Sequence, residues 1–172
     1  MSFRNLVLEL ARHDDAEVLA QLSRDLIEAG LGWEYRRERL ARLIGNSTHM
    51  ALVAREGQQV AGFAVMEFGD ERAHLVLLAV CPAHQRRGVG RRLLQWLIES
   101  AVVAGLASVH VELREANVAA HALYNQLGFE ETSRMDGYYR GRETAIRMVR
   151  LLRPPGPVRL TWSPPPPWRS TG

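Results

Sequence analysis

The run Ala73–Cys81 (AHLVLLAVC) is nearly continuously apolar and ends at Pro82, and it limits the possible folds more than any other segment. Apolar side chains on both faces suit a strand inside a sheet that is covered on both sides, and proline ends it by removing a ladder donor. Directly behind it come Gln85-Arg86-Arg87-Gly88-Val89-Gly90 and a strong helix, Val89–Ala104. Leu93, Leu94, Leu97, Ile98 and Ala101 share one face of that helix, and Gly105 closes it. A buried strand that feeds a long helix needs a neighbouring strand to return to, so this segment is the first half of a β-α-β crossover.

The flanking segments extend the pattern. Asn5–Ala11 alternates like a strand, and Asp14 with Glu17 spaces like a capping box ahead of Val18, Leu19, Leu22, Leu26 and Ile27, with Gly30 as the stop. The spacing predicts a second helix over Glu34–Ile44. Met50–Arg55 and Val60–Phe68 flank Glu56-Gly57-Gln58-Gln59 as a hairpin. After the long helix come a strand at Val109–Leu113, a helix at Val118–Leu127 closed by Gly128, and strands at Phe129–Arg134 and Thr144–Leu152. Hairpins followed by a crossover predict a mixed α/β sheet with helices on both faces.

Composition narrows the function. The 172 residues include 22 basic ones, all arginine; without lysine, Schiff-base chemistry and a P-loop are excluded. Arg150, Arg153, Arg159 and Arg169 lie in the last 23 residues, which carry no acid, leaving 18 arginines against 19 acidic residues in the rest. The net charge of +3 therefore resides in the tail and argues poorly for nucleic-acid binding. Seven of the eight prolines fall in 153–172, so the expected organisation is one domain over 1–152 and a Pro-rich basic tail outside it, read as disordered. Cys81 alone permits no internal disulfide, which makes a reducing cytoplasmic setting the default. No membrane span or metal-ligand spacing is legible, and nothing distinguishes a monomer from a homodimer.

Two segments could carry chemistry. Gly88 and Gly90 sit where a strand turns into a helix, with Arg86, Arg87 and Arg91 around them, which outlines a pyrophosphate cradle built on helix N–H groups. Glu112–Phe129 places Asn117 and Tyr124 two turns apart on one helix face, with Ala119, Ala120 and Ala122 keeping that helix thin. Taken alone, Asn117 reads equally as an N-cap and Tyr124 as a core aromatic.

Together these segments resemble the GNAT family of N-acetyltransferases. Gln85-Arg86-Arg87-Gly88-Val89-Gly90, preceded by Leu78-Ala79-Val80 and Pro82, is similar to the family's Q/R-x-x-G-x-G/A motif. Asn117–Phe129 is similar to N-x-x-A-x-x-L-Y-x-x-x-G-F. The resemblance extends over roughly residues 4–152. Glu112-Leu113-Arg114, Tyr138-Tyr139 and Gly141-Arg142-Glu143 resemble the branch that acetylates ribosomal-protein N-terminal alanines.

The resemblance implies a sheet of about seven strands, splayed between the fourth and fifth, and acetyl-CoA as co-substrate without a metal. Leu78, Ala79 and Val80 would run beside pantetheine. Arg86, Arg87, Gly88, Val89, Gly90 and Arg91 would hold the diphosphate, and Asn117 would contact the pantetheine arm. Tyr124 would be the acid beside the thioester sulfur. The base would be Glu112, His74 or an ordered water. Leu31, Trp33, Tyr138 and Tyr139 would line the groove of an amine acceptor, with Tyr35 beside them. A protein N-terminus is the preferred acceptor and a small-molecule amine the alternative; a non-catalytic acyl-CoA sensor is the reading from another class.

Overall fold

The computed structural model describes residues 5–153, so the expectation for the Pro-rich tail lies outside the described residues. The chain runs β1 (Leu6–Leu10), α1 (Ala16–Leu22), α2 (Arg37–Gly45), β2 (His49–Glu56), β3 (Gln59–Phe68), β4 (Arg72–Val80), α3 (Val89–Val103), β5 (Ser108–Arg114), α4 (Val118–Gln126), β6 (Glu130–Tyr139) and β7 (Glu143–Leu151). The strands form one sheet in the order β1-β2-β3-β4-β5-β7-β6. Among the described residues only β4 and β5 pair in parallel, joined by the α3 crossover.

Each face of the sheet carries its own core. Leu93, Leu94 and Leu97 of α3 pack with Leu52, Met66, Leu75, Phe129 and Met148 on one side. On the other, Leu19 and Leu40 from the first two helices cover Val53, Phe63, Val65 and Leu77. Both cores are fed by alternating strand side chains, as a sheet between two helical layers requires.

The expected splay is present. The β4–β5 ladder holds from Arg72–Ser108 to Leu75–Val111 and then ends. At that level Val65 of β3 lies opposite Leu77 and Met66 opposite Leu75, so Val76 has no opposite residue and β4 is bulged. The extra residue reverses which side chains face which helices. Ala73 and Leu75 join the α3 core, whereas Leu77 and Ala79 join the α1–α2 core. Beyond the bulge β4 stays with β3, while β5 follows β7 from Ser108–Leu151 to Arg114–Ala145.

Several local expectations are corrected. Ala73–Cys81 is covered on both faces but only in part: Ala73 and Leu75 are buried on one face and Leu77 and Ala79 on the other, while His74, Val76, Leu78 and Val80 stay half-buried. The Asp14–Glu17 capping box does not form. Asp15 instead accepts the Arg12 N–H at 2.7 Å and pairs with Arg55 at 2.6 Å, which anchors the helix entry to β2. The first helix continues past α1 as wide π-type turns over Ser23–Ile27. The second helix starts at Arg37 rather than Glu34: Arg36 ahead of it is extended at ψ 169°, and the amides of Glu34 and Tyr35 bond to the Glu28 carboxylate. The strand expected at Phe129–Arg134 extends to Tyr139.

Gly62 lies opposite Val80 at the splayed end of β4. A Cβ there would come within 2.8 Å of the Ala79 carbonyl oxygen and 3.3 Å of Val80 Cα, both backbone atoms. Gly62→Ala should therefore cost about 1–3 kcal/mol of stability in urea unfolding. A loss below about 0.5 kcal/mol, the range of ordinary surface substitutions, would show that β4 is not packed this tightly.

Candidate active site

Three cavities adjoin at the splay. On the α3–α4 side a cleft of about 840 Å³ is lined by Leu78, Ala79, Val80, Arg86, Gly88, Val89, Gly90, Arg91 and Asn117. On the opposite side a groove of about 750 Å³ is lined by Leu31, Trp33, Tyr35, His74, Glu112, Tyr138 and Tyr139. Between them, in the gap between β4 and β5, a throat of about 140 Å³ is bounded by Leu75–Leu78, Glu112, Asn117, Ala120 and Tyr124. Leu78 and Asn117 belong to both throat and cleft, and Glu112 and Tyr139 to both throat and groove.

The cleft ends at the cradle. Arg92 N–H makes the first intrahelical bond, to the Gly88 carbonyl at 3.0 Å, so the amides of Val89, Gly90 and Arg91 have no partner inside the helix. Gly88 sits at φ 77°, a left-handed conformation that glycine adopts freely. Arg86 also has positive φ, 59°, at a cost of about 1–2 kcal/mol for a residue with a Cβ. A Cβ on Gly90 would touch Leu123 and Val80 at 3.5 Å each, so this glycine leaves room at the cleft floor. Arg86 and Arg91 line the cleft, whereas the Arg87 side chain turns away to Glu56 at 3.3 Å. Val80 lines it too, but its carbonyl already accepts Gln85 Nε2 at 3.0 Å.

Asn117 plays both parts read from sequence. Its Oδ1 accepts the Ala120 N–H at 3.1 Å and caps α4, while the residue lines throat and cleft. Tyr124, only 5% exposed, packs 5.5 Å from the Phe129 ring and borders the throat. Burial pushes its phenol well above the ordinary tyrosine range, with the neighbouring Tyr139 adding to the effect, so it stays protonated.

Glu112 accepts Arg147 Nη2 at 2.7 Å and Arg147 Nε at 3.2 Å on Oε1, and Tyr138 Oη at 2.9 Å on Oε2. Partial burial raises its pKa, but these hydrogen bonds together outweigh burial and hold the carboxyl below its ordinary value. The group is a fixed carboxylate facing both throat and groove. His74 lines the groove alone, opposite Glu67 on β3 and beside His110 on β5.

Two positioning devices were not legible in the sequence. Glu28, 8% exposed, accepts Ser23 Oγ at 3.0 Å, the Glu34 N–H at 2.6 Å and the Tyr35 N–H at 3.2 Å, which fixes the groove wall carrying Trp33 and Tyr35. Arg114, at the end of β5, donates to the Ile27 and Ala29 carbonyls at 3.0 and 2.9 Å and so ties that wall to the strand bearing Glu112. Trp33 is held by Nε1 on the Ala20 carbonyl at 3.2 Å and by Arg24 and Arg36 over its ring. Tyr138 and Tyr139 meet edge to face at 5.0 Å across the groove's other wall. Nothing in sequence spacing pairs Glu28 with the amides of 34 and 35, or Arg147 with Glu112. Among the described residues no helix is long and apolar enough to cross a membrane, and no three His, Cys, Asp or Glu side chains are grouped to hold a metal.

Comparison with known proteins agrees with this geometry. The model of the Acetyltransferase (GNAT) family matches residues 16–129. A [ribosomal protein bS18]-alanine N-acetyltransferase of Escherichia coli is 42% identical over 94 residues, which span 53% of this chain and 64% of that enzyme. The crystal structure of the ribosomal-protein-S18-alanine N-acetyltransferase from Escherichia coli superposes with a TM-score of 0.76 at 28% identity, covering 88% of this chain and 96% of that one. N-alpha-acetyltransferase 30 of Xenopus laevis is 27% identical over 80% of this chain and 50% of its own length. With the family match spanning the crossover, the cradle and α4, the chain belongs to the GNAT acetyltransferase family.

Proposed function

We propose that this protein transfers the acetyl group of acetyl-CoA to a protein N-terminal α-amine. The carrying observation is that cleft, throat and groove adjoin at the splay and share wall residues, with Tyr124 and Glu112 bordering the small cavity between the two larger ones. The cleft suits the co-substrate: free helix amides, Arg86 and Arg91 can hold a diphosphate, and the short side chains of Ala119, Ala120 and Ala122 leave room for a thin arm. The β5-facing edge of Val76–Val80 is free of a strand partner, which leaves the Leu78 backbone groups and the Val80 N–H for the pantetheine amides, while Ala79 between them faces β3. The relatives' names support an N-terminal acceptor. Cytoplasmic action, supported by the lone Cys81 and by the relatives' ribosomal substrate, belongs to the same reading. So does assignment of the working unit to residues 1–152.

Acetyl-CoA supplies an acetyl group already activated as a thioester. An α-amine titrates near 8, so about a tenth is neutral at pH 7 and can attack without a strong base. Glu112, held as an anion, attracts the amine into the throat. As nitrogen bonds to the acetyl carbon its N–H becomes far more acidic, and Glu112, directly or through water, then takes the proton. His74 in the groove is the alternative acceptor for it. Tyr124, kept protonated by burial, hydrogen-bonds the sulfur and gives it the phenol proton as the C–S bond breaks, then regains a proton from solvent. The products are an N-acetylated terminus and the free thiol. Leu31, Trp33, Tyr138 and Tyr139 enclose the acceptor's first residues.

The direct test is turnover of acetyl-CoA against N-terminal peptides beside polyamines, amino acids and aminoglycosides. Peptide acetylation with the highest kcat/KM is expected. Preference for a small amine would overturn the acceptor, and binding without turnover would favour a sensor. Tyr124→Phe, which keeps the ring and removes the hydroxyl, should lower kcat roughly 10²–10⁴-fold with acetyl-CoA affinity almost unchanged; wild-type kcat excludes the acid role. Because its folded pKa is depressed, Glu112 is already ionised throughout pH 6–9. Glu112→Gln should therefore reduce kcat at every pH without moving the neutral limb of the pH–rate profile. Loss of a neutral-pH inflection in that variant would contradict the assignment, and its loss in His74→Gln would identify His74 as the base.

A further inference from the structure

Arg86 and Arg87 are adjacent and chemically identical, yet only Arg86 lines the cleft. The difference traces to Glu56, the last residue of β2, which belongs to a different hairpin from the cradle loop. Its Oε2 accepts His84 Nε2 at 2.8 Å and its Oε1 accepts Arg87 Nη2 at 3.3 Å. An ionised carboxylate can only accept, so His84 Nε2 carries the hydrogen. The two hydrogen bonds hold the Glu56 carboxyl below its ordinary value, which keeps it in that ionised form.

His84 is 4% exposed, and its Nδ1 has no partner, so the contact with Glu56 is the ring's one polar anchor among the described residues. One carboxylate thus grips residue 84 and residue 87, on either side of the left-handed Arg86. Three further bonds close the base of the loop, His84 N–H to the Cys81 carbonyl at 2.8 Å, Gln85 N–H to the Pro82 carbonyl at 3.4 Å and Gln85 Nε2 to the Val80 carbonyl at 3.0 Å. None reaches past Gln85. Of the contacts around the loop, only Glu56 spans the strained residue and takes the Arg87 side chain out of the cleft.

We infer that Glu56 is a positioning residue for the co-substrate: by clamping His84 and Arg87 it holds Arg86 and the Gly88–Arg91 amides in the arrangement that receives the diphosphate. The inference rests on the acetyl-CoA reading proposed above. Glu56 makes no contact with the throat, so its influence is confined to binding. Removing it frees Arg87 to compete for the place of Arg86 and lets residue 86 relax from its left-handed conformation, so binding must then restore the loop before the amides converge.

The test is calorimetric titration of the full-length protein with CoA, alongside steady-state kinetics with acetyl-CoA and a peptide acceptor. Glu56→Ala should weaken CoA binding roughly tenfold, with a parallel rise in KM for acetyl-CoA, while kcat at saturation stays within about twofold of wild type. Glu56→Gln, which keeps the shape and one acceptor oxygen, should fall between wild type and Glu56→Ala and protects the test against simple unfolding of the alanine variant. Arg87→Ala should give part of the effect, and adding it to Glu56→Ala should add little, because both act through one clamp. Wild-type CoA affinity in both Glu56 variants, with Gly90→Trp still abolishing binding, overturns the inference and leaves the acetyl-CoA reading intact. A parallel fall of kcat and affinity also overturns it, since that marks a general structural loss. Failure of the wild-type protein to bind CoA refutes the underlying reading instead.

Discussion

The structure depends on one limited pairing. β4 and β5 share only four register pairs, from Arg72–Ser108 to Leu75–Val111, and then separate. Separation normally strands backbone groups and side chains, and here both consequences are managed. The unpaired residue Val76 bends β4 onto β3 and reverses its side-chain parity, so Leu77 and Ala79 are buried under the first two helices instead of facing the gap. β5 remains fully paired with β7, which keeps Glu112 fixed opposite Arg147. The gap is therefore an opening in a sheet whose strands all keep a partner, although β2–β3 and β6–β7 carry register shifts of their own.

What surrounds the gap follows from that opening. The crossover helix must begin at the splayed end of β4, so its free amides lie at the head of the cleft. The helix after β5 must pass under the gap, so Asn117, Ala120 and Tyr124 meet it from one side. On the opposite side the wall is built from segments without regular structure, and polar anchors replace ladders there. The Glu28 carboxylate, the Arg114 guanidinium and the stacked Trp33 supply them. In the proposed reading co-substrate binding rests on helix and strand, whereas the acceptor groove sets one loop wall, around Leu31–Tyr35, against Tyr138 and Tyr139 of β6, and only the loop wall can vary without disturbing the sheet.

The parts legible in the sequence are those written by local rules. Strand and helix periodicity, Gly88 and Gly90 at a strand-to-helix turn, and the Asn117–Tyr124 spacing each involve residues close in the chain, and their placement follows the reading closely. The errors came where a distant group overrode a local preference. Asp14 and Glu17 have capping spacing, but Arg55, 40 residues away from Asp15, claims the carboxylate that matters. Glu34 can begin a helix by composition, yet the Glu28 carboxylate holds the Glu34 and Tyr35 amides and Arg36 stays extended ahead of the helix. Arg86 and Arg87 cannot be told apart in sequence, because the residue that separates them, Glu56, is 31 positions before Arg87.

The central claim is that one molecule can occupy cleft, throat and groove at once. A conjugate in which CoA is joined through an acetyl bridge to the α-amine of an N-terminal peptide tests it directly, by its affinity relative to CoA and to the peptide and by the crystal structure of the complex. The account predicts binding at least tenfold tighter than CoA alone, with the bridge between β4 and β5 beside Tyr124 and Glu112, and loss of that advantage in Ala120→Trp, which fills the throat. Affinity no better than CoA, or a peptide portion lying outside the Trp33–Tyr138 groove, would contradict it.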